Sequence, residues 1–115
     1  MKTITRDELK ERLDRGDDLT LIEALPMAAW KQAHLPGAVN IPVDEQFEEK
    51  ARKVVPDKSR TVVTYCANAD CPASRKAAER LEALGYEDVY DYVDGKADWQ
   101  KAGLPVQSSI SATTA

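Results

Sequence analysis

Thr61-Val62-Val63-Thr64-Tyr65-Cys66 decides how the rest of the chain is read. Thr61 to Tyr65 are all β-branched or aromatic, the composition of a buried central strand. The strand stops at a cysteine. The loop Ala67-Asn68-Ala69-Asp70-Cys71-Pro72 follows, and then Ala73 to Leu84, where Ala77, Leu81 and Leu84 share one helical face. Gly85 ends that helix. A strand that turns this directly into a helix aims loop amides and the helix N-terminus at the cysteine sulfur. The pattern therefore predicts a lowered pKa for Cys66 and a nucleophilic thiolate. It places Pro72 at the first helical position. With no glycine between Cys66 and Gly85, it gives Asn68 the left-handed turn conformation.

Helices and strands alternate outward from this segment. Thr5 and Glu8 form a capping box for a helix over Arg6 to Arg15, stopped by Gly16. Leu19 to Ala24 reads as a buried strand. Met27 to Gln32 makes one or two helical turns. His34-Leu35-Pro36-Gly37-Ala38-Val39-Asn40-Ile41-Pro42 is a turn followed by a short strand. Asp44 to Lys53 is helical, Asp88 to Val93 is a strand, and Ala97 to Lys101 is a short last helix. Gln107 to Ala115 is small, polar and aperiodic, which predicts a flexible tail (107–115) behind one domain (1–106). Such alternation predicts an α/β fold: a mainly parallel sheet of about five strands with helices on both faces. Reactive loops in these sheets lie beyond the carboxyl ends of the strands, where Cys66 falls.

The bulk composition narrows the function classes. The chain has 115 residues, 43% hydrophobic and 31% charged, with a net charge of -4. That acidity argues against nucleic acid or an anionic membrane as the main partner. No apolar run approaches the roughly 20 residues of a membrane span. The N-terminus is charged at once, so no secretory leader is expected and a reducing cytoplasm is the default location. Two cysteines and one histidine make neither a disulfide scaffold nor a zinc site. The single His34 precedes a Pro-Gly turn, and a backbone hydrogen bond is the expected use of its ring. Trp30 and Trp99 are expected in the core or at its edge.

Four segments in order resemble the rhodanese family. They are Leu21-Ile22-Glu23-Ala24 with the His34–Pro42 run; Val62 to Cys66; Ser74 to Leu81 with Leu84-Gly85-Tyr86; and Gly95 to Trp99 with Gly103-Leu104-Pro105-Val106. The resemblance implies a rhodanese-like sulfurtransferase. In that chemistry the Cys66 thiolate takes the outer sulfur of a donor such as thiosulfate or a persulfide. Sulfite leaves thiosulfate, and the Cys66 persulfide passes its sulfur to a thiol or sulfur-carrier acceptor. It implies no metal or organic cofactor. Residues Ala67, Asn68, Ala69, Asp70, Cys71 and Pro72 form the substrate-binding loop, with Arg75 and Lys76 as candidate charge contacts.

The loop departs from the family pattern. Cys71 stands where an arginine is usual, and Asp70 puts a negative charge beside the expected anion site. Leu25 also replaces an arginine, Glu23 an aspartate, and Asp94-Gly95 a glycine pair. Phosphatase or arsenate reductase chemistry is disfavoured, because those loops close on an arginine. Cys71 is a candidate second sulfur carrier or resolving thiol. A non-catalytic thiol-redox or sulfide-sensing module built on Cys66 and Cys71 is the alternative. A disulfide between them requires their Cα atoms to lie within roughly 7 Å.

Overall fold

Val62 and Val63 pack on opposite faces of the sheet, and that alternation sorts the core into two layers. The computed structural model describes residues 1–109. In chain order the elements are β1 (Lys2–Thr3), α1 (Arg6–Asp14), β2 (Leu19–Glu23), α2 (Met27–Gln32), β3 (Val39–Asn40), α3 (Phe47–Val54), β4 (Thr61–Tyr65), α4 (Ala73–Ala83), β5 (Asp88–Tyr92) and α5 (Gly95–Lys101). The strands form one sheet, β1-β5-β4-β2-β3, and every neighbouring pair is parallel. The expected α/β architecture is present, with β4 at its centre.

One face of the sheet carries Ile22, Val62 and Val89 against Phe47 and Ala51 of α3 and Ala77, Ala78 and Leu81 of α4. The other carries Leu21, Val63, Tyr65 and Tyr92 against Leu9 of α1 and Trp99 of α5. All of these are nearly or wholly buried. No helix among the described residues is long and apolar enough to cross a membrane.

The predicted boundaries shift where a local hydrogen bond takes over. The Thr5–Glu8 capping box is present. α3 begins at Phe47 and not at Asp44, because the Asp44 carboxylate accepts the Gln46 amide at 2.8 Å and holds a turn there. α5 begins two residues early, at Gly95, where the carbonyls of Cys66 and Ala67 accept the amides of Lys96 and Ala97 at 2.9 and 2.8 Å. The two-residue β1 is too short for any sequence period to reveal. Gln107, placed by the sequence in the tail, exchanges backbone hydrogen bonds with His34. Ser108 and Ser109 donate to the Lys31 carbonyl, and the remainder of that tail, 110–115, lies outside the described residues.

Under the carboxyl end of the sheet sits a buried ion pair. Glu23, at the end of β2, is fully buried and bonds the Lys96 ammonium at 3.0 Å. Lys96 also donates to the Ala29 carbonyl at 3.1 Å. The Tyr65 hydroxyl donates to Glu23 at 2.7 Å and accepts the Leu35 amide at 3.0 Å. Removing one member of such a pair leaves the other charge buried alone. Lys96→Ala is therefore expected to cost about 3–5 kcal/mol in urea unfolding. Glu23→Gln combined with Lys96→Met should cost less than the sum of the two single changes.

Candidate functional site

Cys66 is the first residue past β4 and shares the face of Thr64, which looks toward α4. Its side chain reaches the first turn of that helix. The residue is only 1% exposed, and its thiol donates to the Cys71 carbonyl at 3.3 Å. The expectation of a lowered pKa is overturned. Burial pushes the Cys66 thiol up, and the adjoining Cys71 side chain adds to this. Hydrogen bonding from the Ser74 hydroxyl and amide works the other way without prevailing. The helix start does face the sulfur, but desolvation outweighs it.

Cys71 has the opposite balance. Burial raises its thiol too, yet hydrogen bonding from the Cys66 side chain and the Ala67 and Ala73 amides carries it below the ordinary thiol value. The amide donors foreseen around Cys66 thus bear partly on Cys71. Cys71 is half-buried, and both cysteines are free thiols.

The loop curls by a different device from the one expected. No non-glycine residue described has positive φ, so Asn68 is not left-handed. Its side-chain carbonyl instead accepts the Asp70 amide at 3.0 Å, and its backbone carbonyl accepts the Cys71 amide at 3.1 Å. Pro72 sits one position before the helix, as the residue that caps it. The loop floor is Gly95, with φ +69. A Cβ there would stand 2.6 Å from the Cys66 carbonyl oxygen. Only glycine permits that approach.

Two clefts flank the loop. One, about 290 Å³, is lined by Cys71, Ser74, Arg75, Asp91 and Asp70, among others. The second, about 370 Å³, lies over Ala67, Asn68 and Lys96 on the other side. Arg75 is exposed at the first cleft, whereas Lys76 is exposed and lines neither. His34 is committed elsewhere: its Nδ1 hydrogen-bonds the Trp30 carbonyl at 2.7 Å, and its ring stacks on Trp30. Among the described residues no group of His, Cys, Asp and Glu could hold a metal ion.

The rhodanese-like domain profile matches residues 5–102. The chain belongs to the rhodanese-like family. It is 36% identical over 103 residues to the HTH-type transcriptional regulator Rv0324 of Mycobacterium tuberculosis, covering 90% of this chain and 43% of that protein. This rhodanese-like chain thus spans less than half the length of that relative. It is 30% identical over 108 residues to the mouse thiosulfate sulfurtransferase/rhodanese-like domain-containing protein 3, covering 85% of this chain and 68% of that one. Among solved structures, the rhodanese-like domain of the Anabaena protein Alr3790 superposes with a TM-score of 0.83 at 26% identity, covering all of this chain and 86% of that one. Relatives of this rhodanese-like chain include sulfurtransferases, which supports sulfur transfer as the general chemistry.

The sequence reading missed two site residues, Ser74 and Asp91. Asp91 had a legible signal: it falls between Val89 and Val93 on the alternate positions of a strand, where an apolar residue is expected. It is 3% exposed, and burial raises its carboxyl above the ordinary range against the opposing effects of Ser74 and Arg75. A carboxyl raised on folding contributes stability at pH values below its unfolded pKa, and that stability is lost as pH rises through the folded value. Asp91→Asn is therefore expected to raise the urea midpoint at pH 7 by the equivalent of about 1 kcal/mol and to change little at pH 3. An equal gain at both pH values would mean that folding does not raise the Asp91 carboxyl.

Proposed function

We propose that this chain is a sulfurtransferase that carries sulfane sulfur as a persulfide on Cys66. The observation that carries this reading is the placement of Cys66: at the carboxyl end of the central parallel strand, against the first turn of α4, with the Ser74 amide bearing on its sulfur. A sulfur added there extends toward the loop, where amides favour an anion. The donor is thiosulfate or a small persulfide, and the acceptor is a thiol or sulfur-carrier protein. The name of the mouse relative supports the thiosulfate assignment. Asp70 and Asp91 beside Arg75, with the Met1 ammonium at its mouth already paired with Glu82, make the first cleft a poor host for a dianion, so thiosulfate turnover is expected to be slow.

One observation favours a second reading. The Cys66 thiol reaches the backbone of Cys71, and each side chain bears on the other's ionisation. Such a pair suits a thiol-redox module that closes a disulfide and transfers no sulfur.

Intact-mass measurement after brief thiosulfate exposure separates the two. The sulfurtransferase reading expects a gain of about 32 Da, retained in Cys71→Ser and lost in Cys66→Ser. A loss of about 2 Da with no gain expresses the redox reading and overturns the first. Cys71→Ser is further expected to lengthen the lifetime of the persulfide.

A further inference from the structure

Asp91 is a buried acid that neither the fold nor the persulfide step explains. Its Oδ1 has no hydrogen-bond partner among the described residues. The parallel register sets it opposite Thr64 of β4. Cys66 is the next residue on the same face of that strand, about 7 Å further along. Ser74, 2% exposed, closes the third side. Its carbonyl accepts the Thr64 hydroxyl at 2.9 Å, and its hydroxyl bears on both the Cys66 sulfur and the Asp91 carboxyl.

We propose that Asp91, acting through the Ser74 hydroxyl, is the proton acceptor that activates Cys66. The proposal rests on the Cys66 persulfide reading. A buried thiol that donates to a carbonyl keeps its proton, so the nucleophile needs somewhere to send it. His34 and Glu23 do not serve as the base. His34 holds the Trp30 carbonyl, and Glu23 belongs to the Lys96 ion pair on the opposite face. An unpartnered carboxylate oxygen at 3% exposure costs stability, and a role in proton transfer accounts for its presence.

The step balances without an outside oxidant. Ser74 Oγ takes the Cys66 proton as its own passes to Asp91, leaving the Ser74 hydroxyl donating to the thiolate. Cys66 Sγ then attacks the outer sulfur of thiosulfate, and one S–S bond forms as the donor's S–S bond breaks. Sulfite leaves with the bonding electron pair and takes the proton from Asp91, departing as bisulfite. The charged and titratable groups around Asp91 are Arg75 from α4, Asp70 and Cys71 from the loop, and the Met1 ammonium at the mouth of the cleft. That ammonium is paired with Glu82 at 2.7 Å. The strands on either side present Thr3 and Thr64 in register.

The test is the single-turnover rate of Cys66 persulfide formation from thiosulfate, followed by mass between pH 5.5 and 9, in the full chain. Asp91→Asn is expected to slow loading about a hundredfold near pH 7. Its rate should climb through the thiol range, because Cys66 must then lose its proton to solvent. Ser74→Ala should behave alike, and Asp91→Glu should restore part of the rate and the flatter profile. An unchanged rate in Asp91→Asn overturns the proposal, and so does a slower rate with an unchanged pH profile. If Asp91→Asn does not fold, Ser74→Ala decides by the same criteria. Absence of Cys66 loading in the unsubstituted protein overturns the persulfide reading, and this proposal with it.

Discussion

The Glu23–Lys96 ion pair is the constraint on which the rest of the site depends. It joins the end of β2 to the first turn of α5, and through Tyr65 it reaches the residue before Cys66. Its Ala29 contact adds α2 to the same knot. Four segments distant in sequence thus meet under the Cys66–Cys71 loop at one buried ion pair. Apolar residues of similar volume often match such a buried pair in stability. What the charges add is direction: two oxygens and three ammonium protons can be satisfied together only in one arrangement.

Above that knot the two cysteines are set apart electrostatically. Cys66 is dry and protonated, whereas Cys71 is partly open and easier to ionise. Two thiols only five positions apart therefore have opposite character. Desolvation and amide hydrogen bonding, the same two effects, act on both; only their proportions differ. The amide-rich turn makes the outer thiol easier to ionise, and burial against the sheet makes the inner one harder.

Much of the fold was legible because its signals are local. The β4 run, the Thr5–Glu8 cap and the Ala77–Leu81 stripe each state their structure within a few residues, and the alternation of helix and strand implies the parallel sheet. Boundaries set by contacts between distant segments were not legible. The early start of α5 depends on the carbonyls of Cys66 and Ala67, nearly thirty residues upstream. The position of Cys66 could be read, but its ionisation could not. A strand-then-helix pattern announces the amides near a sulfur, but burial is a sum over the whole core. Ser74 and Asp91 come together only through the β4–β5 register and the packing of α4 on Thr64, which no short motif encodes.

Gly95 also bears on how this site can diversify. The loop is fastened from below through its main chain: Cys66 and Ala67 carbonyls to α5, and the Asn68 carbonyl to Cys71. The side chains of Ala67 and Ala69 take no part in that fastening. Lineages can therefore exchange those side chains, and with them the charge and shape at the two clefts, while the sulfur stays where it is. Gly95 has no such freedom. Drift should run fast along the rim of the loop and stop at its floor.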